Sequence, residues 1–140
     1  MIITLQNFKI WSDKTFDLGE KGITLLSGKS GVGKTSILEA IIFAITGKGS
    51  KIKKYNSKSC KVVLEIDDKI IITRTKSPNI LTLNEKCDNI ILEDDIAQDI
   101  INKKFGQYFD LVSYIQQNSQ KSFIMLSPTE KLVFLENFAF

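Results

Sequence analysis

Histidine is missing from all 140 residues, and Cys60 and Cys87 are the only cysteines. A histidine-dependent catalytic triad and a four-ligand zinc site therefore cannot be assembled within the chain, and any metal it uses must be held by oxygen. Two prolines and eight glycines exclude collagen-like or linker-like character. Arginine is almost absent, since Arg74 is the single one among nineteen basic residues. A small-molecule kinase that clamps its transferring phosphate with several bidentate guanidinium forks is thereby disfavoured. No run approaches the length of about eighteen apolar residues that a membrane helix needs, and the opening MIITLQNFKIW has neither a basic leader nor a small-residue cleavage site. The expectation is an intracellular, soluble protein with no membrane partner.

What is present is ordinary globular material: 43% hydrophobic and 25% charged residues, enough for one core. The net charge of +3 permits a phosphate-rich partner without requiring one. Residues 2–10 alternate as a strand does, residues 14–18 form a short second strand, and residues 22–26 are a compact apolar run entering a glycine-rich turn. From Lys34 the apolar residues Ile37, Leu38, Ile41, Ile42 and Ile45 recur at helical spacing, ending near Gly47 as C-cap. Residues 48–61 carry six lysines and no acid, with a loop-forming composition. Residues 62–66, 69–75 and 80–83 read as a β-meander turning at Asp67-Asp68 and Ser77-Pro78-Asn79. A helix over residues 93–104 has acids in its first turn and lysines in its last. Residues 108–115 fit helix or strand, and Ser127-Pro128-Thr129-Glu130 is a capping box opening a final helix. That helix has run only about three turns, roughly 20 Å, at Phe140, which suggests a longer natural polypeptide.

The chemistry concentrates at Gly28-Lys29-Ser30-Gly31-Val32-Gly33-Lys34-Thr35, with Ser36 following. This is the P-loop pattern in its proper context, after an apolar strand and before a helix. Glycines let successive backbone N–H groups converge on phosphate oxygens, and the helix N-terminus adds partial positive charge. Lys34 reaches the β- and γ-phosphates of a bound ATP, and the Thr35 hydroxyl is a Mg2+ ligand. The base-reading NKxD or TKxD motif and the DxxG switch motif of a GTPase occur nowhere in the chain.

The order strand, Asn7-Phe8-Lys9, short strand, residues 22–28, P-loop, Ile37-Leu38-Glu39-Ala40-Ile41 and Phe43 to Lys48 resembles the N-terminal ATPase lobe of the SbcC-type double-strand-break-repair ATPases. These are the Rad-fifty proteins of eukaryotes, grouped with SMC proteins in the ABC-type superfamily. Tyr114-Ile115-Gln116-Gln117 with Phe123, then Ser127 to Lys131 and Phe134-Leu135-Glu136, is similar to that family's Q-loop and the helix entering its coiled coil. The resemblance spans nearly the whole chain. It implies an α/β P-loop half-domain of ABC/SMC head type, with a mixed sheet, a β-meander and a P-loop helix. The head lobe would occupy residues 1–126 and the start of the coiled-coil helix residues 127–140. It also implies that Lys9 approaches the nucleotide phosphates and that Gln117, or its neighbour Gln116, helps hold Mg2+ and senses the γ-phosphate. Ser30 stands where the family usually has asparagine, and Asn118 where it usually has glycine.

The family's signature motif, Walker B aspartate, catalytic glutamate and switch histidine lie in a C-terminal lobe, and none is found here. Residues 62–68 and 90–95 imitate a Walker B, but their acids suit a hairpin turn and a helix start. No catalytic residue is therefore assigned, and the chain alone is expected to bind ATP and hydrolyse it negligibly. The resemblance implies as partners a C-terminal lobe in the same or another chain, a homodimer of completed heads, a nuclease and DNA. Lys51, Lys53, Lys54 and Lys58 are candidate DNA contacts, because clustered positive charge suffices for phosphates. Two other readings stay open. One is a self-contained P-loop kinase or ATPase using Asp67 or Asp94. The other is a truncated, non-enzymatic homologue that binds DNA or a partner.

Overall fold

The computed structural model describes all residues except 20, 87–89, 116–124 and 140. It divides into two units, residues 1–107 and residues 108–140.

The first unit is built on a six-stranded sheet in the order β2-β1-β3-β4-β5-β6. The strands are β1 Ile2–Phe8, β2 Trp11–Asp17, β3 Cys60–Ile66, β4 Ile70–Lys76, β5 Ile80–Glu85 and β6 Ile90–Glu93. Strict alternation gives this sheet one dry face. Ile3 of β1, Leu64 of β3, Ile72 of β4 and Leu83 of β5 lie in one cross-strand row, and all four are fully buried. Helix α1, Lys34–Thr46, and helix α2, Asp94–Phe105, cover that face. Ile37, Ala40, Phe43, Ala44 and Ile45 of α1 and Ala97 and Ile101 of α2 supply the opposing layer. Each large apolar side chain so buried stabilises the fold by about 1.5–3 kcal/mol relative to exposure. The expected meander is present, turning over residues 67–69 with Asp67 and Asp68 at positive φ, 49° and 54°, at the centre of a β-turn that the Lys69 N–H closes on Ile66 O at 3.1 Å.

The α/β half-domain class holds, with two differences in detail. Every pairing in the sheet is antiparallel, not mixed. The run at residues 22–26, expected as a third strand, pairs with no strand among the described residues, and Ile23 and Leu25 are 100% and 85% exposed. An apolar run becomes a strand only where another strand takes its N–H and C=O groups, and no described residue does so here. The second difference is an addition: residues 90–92, given no element in the sequence, form β6 together with Glu93, the expected first residue of the helix.

The second unit contains α3, Phe109–Val112, and α4, Pro128–Ala139. Of the two options for residues 108–115, the helix is the one realised, as a single turn. The capping box forms as expected: the Ser127 N–H and hydroxyl both donate to Glu130 Oε2 (2.9 and 2.7 Å), and the Glu130 N–H donates to Ser127 Oγ (3.3 Å). These bonds hold the Glu130 carboxyl below the usual glutamate range. Tyr108 packs edge-on against Phe134, ring centroids 4.9 Å apart.

Candidate nucleotide site

The phosphate loop owes its shape to glycine. Gly31 and Gly33 take φ of 81° and 93°, left-handed values that bring the chain round into α1. At Gly33 a side chain is excluded twice over. A Cβ there would come within 2.5 Å of Ile10 Cδ1 and 2.8 Å of Trp11 Cζ2, so the β1–β2 turn packs directly on the loop. Among the described residues no hydrogen bond engages the backbone N–H groups of residues 29–33. They are free to receive acceptors, and the N-terminus of α1 stands beside them with no acidic residue in its first turn.

Lys34 folds back over the loop. Its ammonium donates to the carbonyl oxygens of Gly28 (2.7 Å) and Lys29 (2.8 Å), which places one positive charge across the loop's mouth. Ser36 is buried at 8% exposure while Thr35 is exposed on the first turn of α1. A hydroxyl there is open to a metal-bound phosphate and suits Mg2+, a hard cation that takes oxygen ligands. Lys29, Ser30, Gly31 and Val32 are solvent-facing, as a binding loop requires. These features fit Mg-ATP: an uncommitted amide cradle, one lysine and one hydroxyl.

Lys9 occupies a tight turn at φ 49° and its ammonium pairs with the carboxylate of Glu39. Glu39 lies four residues after Thr35 on the same face of α1, so Lys9 is held one helical turn from the Thr35 hydroxyl rather than standing free over the phosphates. The Lys9 backbone is fixed too, its N–H donating to Ile52 O at 2.7 Å. Gln116 and Gln117 lie outside the described residues. Sequence patterning alone assigns no role to Trp11, Glu39 or Arg74, although it carries a signal for two of them. Trp11 is the only tryptophan and lies two residues past the Asn7-Phe8-Lys9 segment, and Glu39 sits at helical spacing from Thr35.

Arg74 is the more instructive omission. Leu5, Val62, Arg74 and Leu81 form one cross-strand row, so the guanidinium projects from an otherwise apolar face. Its Nε donates to Ala44 O (3.0 Å) and its Nη2 to Gln98 Oε1 (2.5 Å), while Gln98 Nε2 donates to Ile45 O (3.1 Å). The last carbonyls of α1 are thus closed by a cation, which the helix dipole favours. Burial pushes the guanidinium down to about 10, leaving it charged at neutral pH.

The two Walker B imitations lie far from the loop. Asp67 and Asp68 turn the chain just past the Ile2 end of β1, since Ile2 pairs with Glu65. Trp11 and Gly33 meet past the Phe8 end, about 20 Å away along the strand. Asp94 begins α2, its Oδ1 accepting from the Leu81 N–H at 3.2 Å, in a cleft of about 470 Å³ lined by Arg74, Gln98 and Gly47. That cleft is at the C-terminal end of α1, a helix length of about 20 Å from the loop. Among the described residues no cluster of acidic or sulfur side chains could hold a metal.

A family profile described as an AAA domain matches residues 3–138. The chain belongs to the AAA domain family. Within this family it is 38% identical over 141 aligned residues to Uncharacterized protein 094L of Invertebrate iridescent virus 3, and 39% identical over 142 to Uncharacterized protein 050L of Invertebrate iridescent virus 6. Each alignment takes in 99% of the chain but only 16% and 12% of those proteins, so the chain spans less than a fifth of their length. DNA replication and repair protein RecF of Desulfitobacterium hafniense is 38% identical over 50 residues, covering 36% of the chain and 13% of RecF. A solved structure reported as structural biochemistry of ATP-driven dimerization and DNA-stimulated activation of SMC ATPases superposes with a TM-score of 0.65. It covers 98% of this chain and 97% of that one at 20% identity. This AAA domain therefore has the fold of an SMC-type ATPase lobe. No helix among its described residues is long and apolar enough to cross a membrane.

Proposed function

We propose that the chain is the Mg-ATP-binding N-terminal lobe of an SMC/SbcC-type ATPase whose hydrolysis is completed by a C-terminal lobe in the same or another chain. The observation that carries this reading is a formed phosphate loop standing beside an unpaired apolar approach segment. Ile23 and Leu25 have strand chemistry and no strand neighbours among the described residues, which suits a half-domain awaiting its other half. Bound Mg-ATP would supply an electrophilic phosphorus and a metal that neutralises developing charge. Of this chain's own residues, the amides of residues 29–33 and Lys34 would orient the phosphates, with Thr35 and Gln117 as metal ligands and Lys9 released from Glu39 to join them. The Walker B imitations Asp67 and Asp94 lie at the far ends of β1 and α1, and Glu39, one turn from Thr35, is engaged by Lys9, so no catalytic role is assigned to any of the three. Completed heads would pair as a homodimer around nucleotide and control a partner nuclease in DNA double-strand-break repair, with Lys51, Lys53, Lys54 and Lys58 contacting DNA phosphates.

The test is a hydrolysis assay beside an equilibrium binding assay on the purified chain. The expected result is binding of Mg-ATP that Lys34→Ala abolishes, with turnover no faster than the buffer blank. Robust turnover that depends on Lys34 and on Asp67 or Asp94 would overturn the half-domain reading in favour of a self-contained enzyme. DNA binding indifferent to ATP, with no nucleotide bound, would favour the non-enzymatic homologue.

A further inference from the structure

Tyr55 is 89% exposed at the corner of the lysine-bearing loop, and nothing in the nucleotide site uses it. The turn that carries it is not slack. The Ser57 N–H donates to Lys54 O at 3.0 Å and Asn56 takes φ of 61°, closing a four-residue turn with Tyr55 at its second position and asparagine where positive φ is needed. The same loop is bolted to the β1–β2 turn. Lys54 N–H donates to Asn7 O at 2.8 Å, Ile52 O accepts from Lys9 N–H at 2.7 Å, and Phe8 and Lys53 form an isolated bridge. Ile52, 4% exposed, is its buried anchor. An aromatic ring is thus held out into water on a backbone that has already lost its freedom.

Four lysines flank that ring along the chain. Lys51, Lys53 and Lys58 are exposed, Lys54 is half-buried, and residues 48–61 contain no acid. Among the described residues none of these four lysines pairs with a carboxylate. Lys54 instead bonds the Ser12 hydroxyl, and Lys53 reaches Lys58 O and Ser77 Oγ at 3.4 Å. A flat π-face among unneutralised ammonium groups is the combination that binds a stacked base and its flanking phosphates. The bases of a duplex are already stacked on one another, so a base free to lie on Tyr55 belongs to a single strand. Four ammonium groups spread over eight residues exceed what one mononucleotide's phosphates could occupy.

We propose that the turn at residues 51–58 is a single-stranded nucleic-acid contact in which Tyr55 stacks on a base and Lys51, Lys53, Lys54 and Lys58 take the adjacent phosphates. This deepens the DNA contact proposed above and rests on that part of the reading, while standing apart from nucleotide binding at the phosphate loop. The experiment is fluorescence anisotropy of a short labelled oligothymidylate titrated with the chain, without ATP, over a series of salt concentrations. Tyr55→Ala is expected to weaken binding by about 5-fold or more, while Tyr55→Phe and Tyr55→Trp keep it. Lys51→Gln and Lys58→Gln are each expected to reduce the slope of log affinity on log salt by about 0.7. Because Tyr55 is solvent-exposed, its replacement leaves the fold intact, which circular dichroism checks. Oligothymidylate binding unchanged by Tyr55→Ala, or no binding at low salt, overturns the proposal. A loss confined to Mg-ATP binding, with oligothymidylate unbound, also overturns it and assigns the ring to the mononucleotide. The Lys34-dependent ATP assay reads the phosphate loop separately, so either proposal can fail while the other stands.

Discussion

The row Ile3, Leu64, Ile72 and Leu83 and the segment at residues 22–26 are both apolar and read alike as strand, yet the first is fully buried and the second lies almost wholly in solvent. The difference is in the neighbours. Each strand of the meander meets its partner across a two- or three-residue turn, so pairing is local and the chain carries its own solution. The approach to the phosphate loop has no such partner within reach among the described residues. Hydrophobic pattern reports what a residue needs to bury, and only topology says whether this chain can bury it.

Substitutions that remove only one side of that contrast should separate the two regions by size of effect. Phe43→Ala empties a site at 2% exposure between α1 and the sheet, and urea denaturation should show a loss of about 3–5 kcal/mol. Arg74→Met keeps the volume but takes the donor from the Ala44 carbonyl and from Gln98 Oε1, which should cost about 1–3 kcal/mol by the same assay. In the second unit, the Glu130 carboxyl is held below its ordinary value of 4.5 by Ser127. A depressed carboxyl adds stability above its unfolded pKa that is lost as pH falls through the folded one. Helical content of α4 should therefore fall on acidification below the usual glutamate range; Ser127→Ala, which leaves the backbone N–H donor, should weaken that dependence and Glu130→Gln should abolish it. Smallest of all, Ile23→Ser with Leu25→Ser should change the stability of this chain by no more than about 0.5 kcal/mol, since neither side chain is buried. The same pair should prevent association with a completing C-terminal lobe, read by co-purification. A large stability loss from it would mean the segment is already packed.

Local chemistry made much of this fold legible in advance. Asp67-Asp68 tolerates the positive φ of a hairpin turn, Gly47 ends α1 at φ 72°, and Ser127 and Glu130 satisfy each other across the start of α4. Each is decided within four residues. What escaped the sequence is decided by contacts between distant residues. Lys9 meets Glu39 thirty positions on, and Arg74 reaches back to the end of α1. Arg74 carried no structural role in the sequence because its row partners Val62 and Leu81 are named only by the register. At the site, the loop was legible because a glycine spacing and a lysine suffice to write it. The Trp11 ring against Gly33 was not, because no sequence rule places one turn upon another.

That contact also provides the most direct measurement. Trp11 is the only tryptophan, its ring lies on the loop at Gly33, and its indole nitrogen is buried with no hydrogen-bond partner among the described residues. Its fluorescence should report the loop alone. Titration with Mg-ATP should give a saturable change in intensity or wavelength that Lys34→Ala abolishes. A flat titration, or a change that persists in Lys34→Ala, would contradict the claim that this loop binds nucleotide.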